Sequence, residues 1–198
     1  MEKVNLTKGG RVDLQKAVPA LKRIRVGLGW SKNKFSTGGD YDLDVTAFIL
    51  KHDANGDAKC SGPANMVFYN NLSTPNGEVK HGGDNRSGDA AGDDETIIVD
   101  VLKTLAVADE VSFIVTIHDA ITRGQKFGQI EKSYVKIYND EDGTVIAQYD
   151  LEEGFSNETA VQFGSLYKNP QGNMAFRAVG QGFNAGLADF CKGYGLEV

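Results

Sequence analysis

The chain has 198 residues, 40% of them hydrophobic, enough to bury a sizeable core without a disulfide framework. Its 21 Lys and Arg against 27 Asp and Glu leave a formal net charge of −6, which argues against a nucleic-acid binder that depends on neutralising phosphates. The 24 Gly follow no fixed period and Pro is scarce, so neither a collagen-like chain nor a Pro-rich linker fits.

In chain order, Met1–Lys8 carries no apolar signal core, and no later run approaches the roughly 18 apolar residues of a spanning helix. A cytoplasmic protein is therefore expected. Ile24, Val26, Leu28 and Trp30 alternate with Arg23, Arg25, Gly27 and Gly29, a strand period. A continuous apolar run, VTAFIL at 45–50, follows, then a turn cluster at Asp53–Asp57. Further strands are predicted at 66–70, 96–101, 111–118, 133–139, 145–149, 161–167 and 175–179, with hairpin loops at 140–144 and 168–174. In 111–118, Ile114 joins the otherwise polar face, which predicts cover on both sides. Helical signals are confined to 102–108 and to Leu187, Phe190, Cys191 and Tyr194 near the C-terminus. Gly180–Gly182 reads as a tight turn, and Cys60 and Cys191 as buried thiols in a reducing compartment.

About nine or ten short strands with turn signals between them predict an all-β fold, two stacked antiparallel sheets or a barrel, with one or two short helices. No composition break divides the chain, so a single domain over residues 1–198 is expected.

The acid is concentrated. Segment 39–44, GDYDLD, sets Asp40, Asp42 and Asp44 at every second position, on one face of an extended chain with Tyr41 and Leu43 on the other. Segment 83–95, GDNRSGDAAGDDE, holds Asp84, Asp89, Asp93, Asp94 and Glu95, with Asn85 as a neutral oxygen donor and Arg86 as its basic residue. Like charges on one strand face repel, and a cation removes that cost. Hard oxygens in this number suit Ca²⁺, with Mg²⁺ second; His and Cys at zinc spacing are missing. An EF-hand test on 84–95 fails, because Arg86, Gly88 and Asp89 stand where that loop needs Asp or Asn, Asp or Asn, and Gly.

These segments belong to a longer series of motifs. LTKGGRVDL at 6–14, VGLGW at 26–30, DYDLDVTAFIL at 40–50, FYNNL at 68–72 and HGGDNRSGDAAGDDE at 81–95 come first. FIVTIHDA at 113–120, FGQI at 127–130, YDLEEGFSNETA at 149–160 and FRAVGQGF at 176–183 follow. In this order they resemble the tellurium resistance TerD family along nearly the whole chain. The resemblance implies a calcium-binding β-sandwich of the bacterial cytoplasm, linked to stress operons, with the acidic loops at one end. The positions matching the family's metal clusters are Asp40, Asp42 and Asp44 in one, and Asp84, Asn85, Asp93, Asp94 and Glu95 in the other. Two calcium ions are expected.

Catalytic logic is thin. No GxxxxGK[ST] phosphate loop exists, and GQGFNA at 180–185 lacks the strand–helix setting of a dinucleotide fingerprint. His118 and Asp119 are adjacent, which on a strand points them to opposite faces. Asp119 at a strand end is a further candidate oxygen, His118 reads as structural, and His52 and His81 have no second ligand at useful spacing. Arg177 and Lys136 read as strand-edge charges rather than an anion site. The leading expectation is a non-enzymatic calcium-binding protein that recognises partner proteins of a stress system. Its rivals are a metal-dependent hydrolase or phosphatase, and an interaction module indifferent to calcium.

Overall fold

The computed structural model describes residues 2–31, 41–83, 92–130, 132–151 and 155–197. Among them the strands are β1 (Val4–Asn5), β2 (Arg11–Asp13), β3 (Arg23–Gly29), β4 (Leu43–His52), β5 (Ala58–Cys60), β6 (Met66–Val67) and β7 (Val79–His81). They continue with β8 (Glu95–Asp100), β9 (Glu110–Ile117), β10 (Tyr134–Asn139), β11 (Val145–Asp150), β12 (Ala160–Lys168) and β13 (Met174–Phe183). The helices are short: α1 (Leu14–Ala17), α2 (Val101–Val107), α3 (Ala120–Arg123) and α4 (Leu187–Gly193). None is long and apolar enough to cross a membrane.

The strands form two sheets. The first has the order β1-β11-β10-β3-β8-β7, and the second β2-β13-β12-β9-β4-β5, with β6 also on β4. Only the β1–β11 pair is parallel among these. The predicted all-β sandwich is what forms, with two more helical turns, α1 and α3, than the periodicity showed.

The period of two explains the core. Ile24, Val26 and Leu28 of the first sheet face Leu43, Val45, Ala47 and Ile49 of β4 and Val111, Phe113, Val115 and Ile117 of β9 in one buried cluster. Burying each large apolar side chain there contributes roughly 1.5–3 kcal/mol against leaving it in water. The residues between them face outward from the second sheet and fall into two sets. Phe48, Leu50 and Ile114 are buried in a second apolar cluster with Cys191 and the partly buried Leu187, Phe190 and Tyr194 of the α4 region. This is the cover that Ile114 predicted, and the C-terminal spacing supplied the helix that provides it. Towards the other end of the same strands the outward residues are Asp44, Thr46 and Thr116, and that end is where the acidic segments join the sheet.

Two expectations change. Gly180–Gly182 does not turn: β13 runs through to Phe183, and the β12–β13 register shifts there, with Gly180 at φ 59°. A Cβ on Gly180 would strike the Tyr149 hydroxyl, so this position in the irregular ladder is reserved for Gly by both backbone and space. Arg177 and Lys136 are not on edges. Arg177 lies on β13 between β12 and β2, and Lys136 on β10 between β11 and β3.

Candidate functional site

The ends of β3, β4 and β8 meet at one end of the sandwich, tied by side-chain hydrogen bonds. The Trp30 indole N–H donates to the carbonyl of Tyr41 at 3.0 Å. The Trp30 backbone N–H donates to Asp94 Oδ2 at 3.0 Å, and the Val45 N–H to Glu95 Oε2 at 2.7 Å. These bonds join the residue after β3, the start of β4 and the start of β8, so the described flanks of both acidic segments lie together. Asp40, Asp84, Asn85 and Asp89 lie outside the described residues.

The three consecutive acids at the start of β8 diverge. Glu95 is an inward position of β8, two residues before Ile97, and is buried with its oxygen on an amide of the opposite sheet. It also faces His81, whose Nε2 is 3.7 Å from Glu95 Oε2 with both side chains almost wholly buried. His81 therefore has a partner that its spacing in sequence did not show. The β7–β8 register pairs His81 with Ile97, which puts Glu95 two residues along on the same face.

Asp93 turns to the outer face of the first sheet. Its Oδ2 pairs with Arg25 at 2.8 Å, and its Oδ1 accepts from the Tyr138 hydroxyl at 2.9 Å and the Tyr134 hydroxyl at 3.2 Å. The Arg25 guanidinium also lies over the Tyr138 ring, 3.9 Å from its centroid. Burial first, and then the Asp93 charge, push the Tyr134 hydroxyl up to about 12; burial first, and then the hydrogen bond to Asp93, push Tyr138 up. The alternating glycines of β3 make this arrangement fit. A Cβ on Gly27 would overlap the Asp93 carboxylate, and one on Gly29 the Tyr134 ring.

Asp42 and Asp44 lie on the opposite side, on the outer face of the second sheet, each 5% exposed. Tyr41 and Leu43, the residues that alternate with them, are in the core, as the spacing predicted. Asp44 Oδ2 lies 3.5 Å from His118 Nδ1, and the His118 backbone N–H donates to the Asp42 carbonyl at 2.8 Å. The expectation that His118 and Asp119 point apart is overturned. Asp119 leaves the strand in the left-handed region, φ 52°, and its Oδ2 comes within 3.7 Å of His118 Nε2. Asp is one of the few side chains that tolerates this backbone without large strain. His118, Asp44, Asp119, Tyr69, Thr116 and Thr159 line part of a cavity of about 360 Å³. His52 is not alone either, with its Nε2 3.3 Å from Glu110 Oε2.

The donor chemistry is that of a hard cation: carboxylates, hydroxyls and backbone carbonyls. Among the described residues, however, no group of three or more His, Cys, Asp and Glu is disposed to hold a metal ion. A complete coordination shell built on Asp42 and Asp44 or on Asp94 and Glu95 needs further oxygens.

Comparison with known proteins follows the same outline. The TerD domain family matches residues 2–194. The Tellurium resistance protein TerD of Serratia marcescens is 46% identical over 194 residues, 98% of each chain. The General stress protein 16U of Bacillus subtilis (strain 168) is 45% identical over 195 residues, also 98% of each. Among solved structures, a homologue of the telluride resistance protein from Streptomyces coelicolor A3(2) superposes with a TM-score of 0.70 at 19% identity, covering 86% of this chain and 95% of that one. A protein of unknown function gives 0.72 at 19%, covering 90% and 99%, and these two likenesses bear on the fold.

Proposed function

The chain belongs to the TerD family, and on that premise we propose that it is a calcium-binding, non-enzymatic stress protein of a tellurium resistance system. In this reading it works in the cytoplasm through calcium-dependent contacts with other proteins of that system. The observation that carries it is the meeting of the two acidic segments. Bonds from Trp30 and Val45 to Asp94 and Glu95 hold the ends of both at one end of the sandwich, beside the buried Asp42 and Asp44. Calcium takes six to eight oxygens. The proposed ligands are Asp42, Asp44, Asp94 and Glu95 together with Asp40, Asp84 and Asn85, shared between two ions. Asp93, whose two oxygens already accept from Arg25, Tyr134 and Tyr138, anchors its segment to the first sheet instead.

Bound calcium offsets the repulsion among these carboxylates and stabilises the fold by mass action. The names of the relatives, for tellurium resistance and general stress, support the cellular setting. Thermal unfolding of chelator-stripped protein tests the reading. Millimolar Ca²⁺ is expected to raise the unfolding temperature of the wild type, whereas an unchanged unfolding temperature contradicts it.

A second reading, a metal-dependent hydrolase, is favoured by one observation: the cavity beside His118, Asp44 and Asp119. Phosphomonoester turnover with Ca²⁺, Mg²⁺ or Mn²⁺ that disappears in His118→Ala would replace the non-enzymatic reading.

A further inference from the structure

The second apolar cluster contains three sulfur side chains drawn from separate parts of the chain. Cys60 on β5 and Met66 on β6 share the edge of β4 opposite β9, paired with Leu50 and Phe48 respectively. In an antiparallel pair, partnered residues point to the same face. Cys60 and Met66 therefore stand with Leu50 and Phe48 on the outward side of the sheet, beneath α4. Cys191 comes down onto them from that helix, its Sγ 3.4 Å from Met66 Sδ. The arrangement is fixed on both sides. The Cys60 N–H donates to the Tyr194 carbonyl at 2.9 Å, and the Leu196 N–H to the Cys191 carbonyl at 2.8 Å. All three side chains are buried, Cys191 at 2% exposure, and neither cysteine is in a disulfide.

From this juxtaposition we infer that Cys60, Cys191 and Met66 form a binding site for one soft monovalent metal ion, Cu(I) or Ag(I). Thiolate and thioether sulfurs select Cu(I) over the hard cations. Zinc wants four ligands and is poorly served by two thiolates and a thioether. With metal–sulfur bonds of about 2.3 Å, two sulfurs on one ion stand a little under 4 Å apart, close to the Cys191–Met66 separation already present. Burial pushes both thiols up, and the neighbouring Cys60 adds to the shift of Cys191, so both thiols carry their protons in the absence of metal. Uptake then exchanges one monovalent ion for two protons, breaking two S–H bonds and forming two metal–thiolate bonds, with Met66 as a neutral third donor. No electron changes hands. This site lies under α4, apart from the acidic end, and does not depend on calcium.

The test is an anaerobic titration of the reduced, full-length protein with Cu(I) in the presence of a competing Cu(I) chelator, following thiolate-to-copper absorption in the ultraviolet. One Cu(I) per chain is expected. Losing an outer-shell partner costs metal sites about 10- to 100-fold, so removing a ligand thiol in Cys60→Ser or Cys191→Ser is expected to cost more than about 100-fold. Met66→Leu keeps the apolar volume and guards against a folding artefact; it is expected to weaken binding about 10-fold. No copper captured from the chelator, or capture unchanged in Cys60→Ser and Cys191→Ser, would overturn the assignment. Met66→Leu binding as tightly as the wild type would overturn the three-sulfur site.

Discussion

Asp93 and the pair Asp42–Asp44 come from the same kind of acidic segment and finish on opposite faces of the molecule with different partners. Asp93 is met by a guanidinium and two phenols, so its charge is answered inside the protein. Asp42 and Asp44 are buried too, and Asp44 lies against His118, a partner charged only when protonated. One acid is thereby an internal fastener. The other two stand on one outward face, at positions proposed to hold calcium. Acidic runs read as single clusters in sequence can thus divide between faces once β-pairing has sorted them, one part fastening a sheet and the other proposed to bind calcium.

The largest expected effect attacks the fastener. Asp93→Ala removes the ion pair and both phenol hydrogen bonds and leaves Arg25 without its closest carboxylate; it is expected to cost about 3 kcal/mol in urea unfolding, with or without calcium. A loss that appears only in the presence of calcium would move Asp93 into the metal shell. Next comes the pair: Asp42→Asn with Asp44→Asn is expected to abolish the calcium-dependent stabilisation, about 2.7 kcal/mol at an ion concentration 100 times the dissociation constant. In chelator the same variant is expected to lose less than this, because mutual repulsion is removed along with the Asp44–His118 contact. A smaller cost is expected for Gly27→Ala, about 2 kcal/mol from displacing the Asp93 carboxylate. If Gly27→Ala and Asp93→Ala destabilise additively, the proposed conflict between them is wrong.

The smallest effect is spectroscopic. Tyr134 is held up at about 12 against an ordinary 10, so its folded state keeps a proton that the unfolded state loses. Its contribution to stability is full below about pH 10 and is lost as pH rises towards 12. Tyrosinate absorbance should show this late titration. Asp93→Asn, which removes the charge while keeping the shape, should bring it earlier; an unmoved titration would deny Asp93 its part.

Strands with long, regular alternation were legible in sequence, and so was the face shared by Asp42 and Asp44, because a period of two is a local property. The short strands β1, β2, β5 and β7 span only two or three residues and carry too little pattern to register. The partners of Asp93 were invisible for a different reason. Arg25, Tyr134 and Tyr138 reach it only because β10 pairs with β3, a register set by the whole fold. Gly27 and Gly29 were in plain view as an alternation, but their purpose depends on that same pairing. His118 and Asp119 were misread because the rule of opposite faces ends where the strand does, and Asp119 has already left it. His81 and Glu95 show the same limit: a buried pair made across two strands has no signature along one.

Calorimetric titration of chelator-stripped protein with Ca²⁺, repeated with Mg²⁺, decides whether Asp42 and Asp44 hold calcium. Micromolar or tighter calcium binding with weak magnesium binding, lost in Asp42→Asn with Asp44→Asn and kept in Asp93→Asn, is expected. Calcium binding that survives the loss of Asp42 and Asp44, or none at millimolar concentration in the wild type, would contradict it.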